Sequence, residues 1–183
     1  MRMRALMLVM AAVALTSFWA CGGGGGTVSN SNSGRAQSAT PAPPSEPAAL
    51  PSRAFKATIS LVDPPDKLRS GQKETVRVKI KNNSDVMWWA RGAPVNTRTD
   101  NKFYLAAGNR WLKSGGELVT NMDGRYGISK DLAPGEEAEV PLAITAPKEP
   151  GDYLLEIDVV QEGVAWFSDK GSPTARTKIS VLK

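Results

Sequence analysis

The residues of this chain that could do chemistry are tryptophans, carboxylates and one cysteine; histidine is absent. Without histidine there is no Ser-His-Asp triad, no Cys-His nucleophile and no His-ligated zinc, and a single cysteine cannot close an internal disulfide. The carboxylates are scattered, apart from Glu136, Glu137 and Glu139 after Pro134-Gly135. A glycosidase needs two carboxyl groups facing each other across a cleft, about 5 Å or about 6.5–9.5 Å apart. Neighbours along one strand do not provide that, so the cluster reads as a solvated face. Asp100, Asp123, Asp131 and Asp169 fall in expected loops but lack the dense Asp/Asn/Gly spacing of a calcium loop. The glycine run Gly22–Gly26 has neither the preceding strand nor the following helix of a phosphate cradle. The chain therefore reads as a non-enzyme, with no catalytic residue, metal or cofactor expected.

The tryptophans carry the binding chemistry. Trp88 and Trp89 are adjacent, and neighbours on a strand point to opposite faces. One fills the core; the other faces outward or lies under a loop. Trp111 has the spacing of an inward residue. An exposed indole beside polar groups can grip a sugar ring by stacking on its apolar face. Trp89 and Trp166 are accordingly the candidate ligand-binding residues, with core or loop packing as the alternative role. The segment Glu162–Gly171 around Trp166 is similar to one in modules that accompany bacterial cell-surface polysaccharide enzymes, which implies a carbohydrate role. The formal charge is +5. No basic run interleaves with aromatics, as a nucleic-acid surface requires, so no nucleic-acid partner is expected.

Cys21 has a different setting. Met1–Arg4 is a short positive stretch, and residues 5–20 are apolar apart from Thr16 and Ser17. That is the length of a signal-peptide core and short for a membrane span. Ala20-Cys21 then resembles the lipobox of bacterial lipoproteins, in which the cysteine thiol is lipidated and becomes the first residue after cleavage. Phe18 and Trp19 stand where that pattern has an aliphatic and a small residue. The resemblance implies a signal peptide over 1–20 and a lipid anchor on Cys21. Gly22 in place of Asp after the cysteine resembles outer-membrane sorting in a two-membrane bacterium. Residues 21–52 are rich in Gly, Ser, Asn, Ala and Pro. Such a stretch has little to bury and reads as a disordered tether, flexible in its Gly/Ser half and stiffer in its Pro half.

From residue 53 to residue 183 apolar and polar residues alternate with period two. The pattern predicts strands at 55–61, 76–80, 87–89, 103–111, 138–144, 153–159 and 177–181, separated by Gly/Pro turns. Residues 117–131 fit a short strand and a loop. Pro141 marks an edge strand. About seven strands without a helical period predict an all-β sandwich, with a barrel as the alternative. Roughly 130 residues are enough to build one core. Pro150-Gly151-Asp152-Tyr153 resembles the tyrosine corner of immunoglobulin-like domains. With Asn82-Asn83-Ser84-Asp85 before Trp88 and Leu132-Ala133-Pro134-Gly135-Glu136, it is similar to disulfide-free immunoglobulin-like or fibronectin-III-like modules of bacterial envelopes. The expectation is a lipid-anchored, non-catalytic module of the cell envelope that binds another envelope protein; the alternative is a module that binds polysaccharide on exposed tryptophans. A clickable fatty acid fed to cells should label the chain, and Cys21→Ala should abolish the label; a Cys21→Ala chain that still labels contradicts the anchor.

Overall fold

The computed structural model describes residues 48–90 and 101–183. The expected signal peptide, Cys21 and most of the expected tether lie outside the described residues. Nine strands are described: β1 (Ala57–Val62), β2 (Lys67–Arg69), β3 (Lys73–Asn82), β4 (Leu105–Lys113), β5 (Leu118–Gly127), β6 (Glu137–Thr145), β7 (Gly151–Gln161), β8 (Ala165–Trp166) and β9 (Ala175–Leu182). They form two sheets. The smaller has the order β1-β3-β6, and the larger β2-β9-β7-β4-β5, with β8 added to β7. Pairing is antiparallel throughout except for β2 beside β9. This is an immunoglobulin-like β-sandwich.

Alternation decides which face each strand buries. On β3, Val76, Val78 and Ile80 point inward and are buried, while Arg77, Lys79 and Lys81 face solvent. On β6, Ala138, Val140, Leu142 and Ile144 do the same. The larger sheet answers with Leu105, Ala107 and Trp111 of β4, Leu155, Ile157 and Val159 of β7, and Ile179 and Val181 of β9. Each fully buried aliphatic or aromatic side chain stabilises the fold by about 1.5–3 kcal/mol relative to exposure. Phe167 lies between Phe55 and Trp88, with ring centroids 4.9 and 5.0 Å away. These three rings fill one end of the core.

The turn motifs position the strands by hydrogen bonding. Asn82 is fully buried and uses both ends of its amide. Its Nδ2 donates to the carbonyls of Val86 (2.8 Å) and Leu132 (2.9 Å), and its Oδ1 accepts from the backbone and hydroxyl of Ser84. Gly135, at φ 84°, donates its N–H to the Asn82 carbonyl. The Asn-Asn-Ser-Asp and Leu-Ala-Pro-Gly-Glu motifs therefore meet. Tyr153 donates its hydroxyl to the Glu149 carbonyl at 2.8 Å, which makes it a tyrosine corner.

Three local features differ from the periodicity. Met87–Trp89 does not form a strand; Trp88 makes one isolated bridge, exchanging backbone hydrogen bonds with Leu132. Residues 117–131 instead contain β5, ten residues long. Its alternation was masked by a bulge. Gly108 pairs with Arg125 and Arg110 with Asn121, so Met122, Asp123 and Gly124 all stand opposite Asn109. Met122 takes a positive φ of 48° there. Asn109, fully buried, donates to Asp123 Oδ2 at 2.8 Å and accepts the Asp123 N–H at 3.2 Å, which fastens the bulge. At the front of the domain, Gln161 of β7 receives the Leu50 N–H and donates to the carbonyls of Ala48 and Phe103. The chain is thus tied to the sandwich from Ala48 onward.

Tyr153→Phe removes one hydrogen bond and should lower the unfolding free energy by about 1 kcal/mol. Trp88→Ala opens a cavity in the aromatic end and should cost about 3–5 kcal/mol. Urea unfolding of the two variants measures both, and equal losses would contradict this ranking.

Candidate functional site

The four tryptophans of the domain have different fates. Trp88 and Trp111 are fully buried. Trp88 donates its Nε1 to the Ala54 carbonyl at 3.2 Å, and Trp111 stands edge-on to Tyr153 with its indole N–H unpaired. Trp89 is half-buried; its carbonyl accepts the Leu105 N–H at the start of β4. It leads into residues 91–100, outside the described residues. Trp166 is also half-buried, on the outer face of the larger sheet. No ring-to-ring contact joins Trp89 and Trp166 among the described residues.

Trp166 is held by a close approach of side chain to backbone. β8 folds back beside β7, pairing Trp166 with Val160, and the indole packs against Ala106 and Val160. Its outer edge rests on Gly108 of β4: a Cβ there would stand 2.9 Å from the ring carbon Cη2. Only glycine leaves that space. The guanidinium of Arg110 lies 4.8 Å from the ring centroid, a cation–π contact that occupies a face of the indole.

Beneath Arg110 lie two carboxylates on the outer face of β7. Glu156 and Asp158 are 4% and 2% exposed. Buried charge survives only when paired and hydrogen-bonded. Arg176 of β9 meets Glu156 Oε2 through both Nε and Nη2 at 2.6 Å, and the Thr174 hydroxyl adds a bond at 3.1 Å. Arg110 reaches Glu156 Oε1 only at 3.6 Å. Asp158 accepts the Ser168 hydroxyl at 2.6 Å and the Val159 N–H at 2.7 Å. Burial pushes the Asp158 carboxyl above its ordinary range; the Ser168 hydroxyl, the neighbouring amides and the Arg110 charge pull in the other direction.

Beside this cluster runs an open groove of about 400 Å³, lined by Arg110, Leu112, Leu118, Asn121, Trp166 and Arg176 among others. A second groove, about 620 Å³, opens at the seam between β5 and the β6–β7 turn; Val119, Thr120, Ala146, Pro147 and Tyr153 contribute to it. The strand between the two grooves is β5, which closes one end of the larger sheet and pairs only with β4 among the described strands. Leu118 is 52% exposed and Val119 37%. A bulge between Trp111 and Leu112 sets Leu112 opposite Leu118 and turns Val119 toward the seam.

The remaining acidic residues have structural partners. Glu137 pairs with Lys79 and Glu139 with Arg77 across the outer face of the smaller sheet, while Glu136 accepts the Ala133 N–H in the turn. Asp131 accepts the Ala90 N–H. No group of three or more His, Cys, Asp or Glu is placed to hold a metal among the described residues.

Sequence reasoning singled out Trp166 but missed its setting. Glu156 and Asp158 read as outward polar positions of a strand, as they are. Nothing in their spacing signals that Arg110 from β4 and Ser168 from the β8 segment close over them. The missing partners are distant in sequence and meet only through sheet order.

No known family profile matches the chain, and no curated protein sequence matches it. Similar solved structures share little sequence. The CARDB domain of the PF1109 protein from Pyrococcus furiosus is 17% identical, with a TM-score of 0.39 over 69% of this chain and 86% of that one. A β-glucosidase from Listeria innocua is 16% identical, with a TM-score of 0.42 over 70% of this chain but 16% of its own length. The alkylpurine DNA glycosylase AlkC from Pseudomonas fluorescens is 10% identical, with a TM-score of 0.43 over 70% of this chain and 31% of that one.

The raised Asp158 value sets a sign. Across the interval between the ordinary carboxyl value and the raised one, the folded chain holds more protons than the unfolded chain. Asp158 therefore withdraws stability as pH rises through that interval. Ser168→Ala removes the hydrogen bond that favours the charged form, so the Asp158 titration followed by NMR should move further upward. A downward movement contradicts the reading that the Ser168 hydroxyl favours the charged form of Asp158.

Proposed function

We propose that this protein is a lipid-anchored, non-catalytic module of the bacterial cell envelope that binds another envelope protein through the β5 side of its sandwich. The observation that carries the binding reading is the β5 edge itself: ten residues paired with β4 on one side only among the described strands, bearing the exposed apolar pair Leu118 and Val119. Unprotected edges with apolar side chains are templates for pairing with another chain. The anchor reading rests on the signal-like N-terminus and Cys21. An outer-membrane address follows from Gly22 if the organism has two membranes.

Polysaccharide binding at Trp166 is the second reading, favoured by the indole, guanidinium and amide that share the outer groove. It ranks lower because Arg110 already covers a face of the Trp166 ring. A sugar stacking on that face must first displace the guanidinium.

Crosslinking in native membranes followed by purification of the tagged full-length chain should recover one envelope protein. Leu118→Lys should reduce recovery at least fivefold, with unfolding free energy changed by no more than about 0.5 kcal/mol, as for an exposed position. Binding to a glycan array that falls with Trp166→Ala, with no protein recovered, would favour the second reading.

A further inference from the structure

Gln161 fixes where the chain enters the domain. It is 1% exposed and holds both Ala48 and Leu50, so the chain meets the sandwich at the pole where β7 ends. The start of β1 and the end of β3 lie at the same pole, paired as Ala57 with Asn82. Ala57 also donates its N–H to Ser172, in the connection from β8 to β9, which brings the two sheets together there.

A groove of about 380 Å³ opens at this pole, lined by Ser52, Lys56, Thr58, Asn83, Lys170 and Gly171 among others. Its chemistry differs from that of the two grooves beside β5. The seam groove includes Asp123 and Glu149, and the outer groove includes Glu156. No carboxylate lines the groove at the pole. Lys56 and Lys170 are exposed, and neither forms an ion pair among the described residues. The nearby Asp85 is taken by Arg53 at 3.1 Å. Thr58 accepts the side-chain amide of Asn83 and so keeps its hydroxyl proton to donate. Two ammonium groups with hydroxyl donors between them suit a phosphate, which lysine binds as a point charge.

We infer that this groove receives the phosphate headgroup of an anionic lipid, so that the pole at which the chain enters the domain is turned toward the membrane. The inference rests on the reading that Cys21 carries a lipid anchor. Residues 21–47 separate that anchor from the Gln161 clamp. A Gly/Ser/Pro-rich chain of such length spans about 30 Å r.m.s.. The lysine-lined pole is thereby held within reach of the bilayer surface, and docking there is an intramolecular step that a weak contact can drive. Each lysine brought to an anionic surface raises the occupancy of the docked state about fivefold. Docked in this way, the domain presents the β4–β5 and β6–β7 turns, at its other pole, away from the bilayer.

The test uses the full-length chain, purified with its own lipid and reconstituted in vesicles of phosphatidylcholine, alone or mixed with phosphatidylglycerol. An amine-reactive reagent and mass spectrometry read the modification rate of each lysine. With phosphatidylglycerol present, Lys56 and Lys170 should react about fivefold more slowly or slower still, and raised salt should restore the rate. Lys73 and Lys148, at the opposite pole, should react alike in both vesicles. In Lys56→Gln, Lys170 should lose most of its protection, with circular dichroism verifying the fold. Equal rates at Lys56 and Lys170 in the two vesicles overturn the inference and leave the anchor reading standing. Protection by soluble glycerol phosphate, with none from the vesicles, overturns it as well. A chain that washes off both kinds of vesicle contradicts the anchor reading itself.

Discussion

Strand β7 is buried on both faces, and its two faces carry opposite chemistry. Inward, Tyr153, Leu155, Ile157 and Val159 fill the core; outward, Glu156 and Asp158 are covered almost completely. Two carboxylates so placed must be matched by donors, or their desolvation would cost several kcal/mol each. The matching donors come from β4, β9 and the segment after β8. That segment straddles the sheet: Trp166 lies on its outer face, while the next residue, Phe167, reaches the core between Phe55 and Trp88. The requirement to cover β7 thus fixes the neighbouring strands and the 162–172 connection together. It also commits Trp166 to packing and leaves Arg110 as the partly exposed member of the network.

The same sheet order accounts for the asymmetry between edges. β6 is an edge strand of the smaller sheet, and it carries Glu137, Glu139 and Pro141. Charges and proline at an edge discourage pairing with a foreign strand. β2 is a three-residue edge. β5 is longer and carries the exposed Leu118 and Val119 at its start; it is interrupted by two bulges, one at Val119 and one fastened by Asn109 and Asp123.

Much of the sandwich was legible because a half-buried strand writes its burial into a period of two. Val76, Val78 and Ile80, or Ala138, Val140, Leu142 and Ile144, announce their strands without help. The tyrosine corner at Tyr153 was legible because a local motif makes a local bond. Met87–Trp89 misled because two adjacent tryptophans look like a strand, although their backbone finds only the single partner Leu132. β5 was hidden because its bulge puts Met122, Asp123 and Gly124 opposite one residue and breaks the period. The candidate site was least legible of all. Arg110, Glu156, Ser168 and Arg176 come from three strands and a turn, and no spacing links them. Gly108 looked like an ordinary weak point in a strand until the indole of Trp166 was found against it.

The central claim is that this domain presents β5 to a partner. Site-specific photocrosslinking in living cells tests it most directly, with the crosslinking residue placed at Leu118 in one strain and at Ser60, on the outlying strand β1 of the smaller sheet, in another. A discrete crosslinked protein from position 118 and none from position 60 is the predicted result. Equal crosslinking from both positions, or crosslinking from position 60 alone, would contradict the claim.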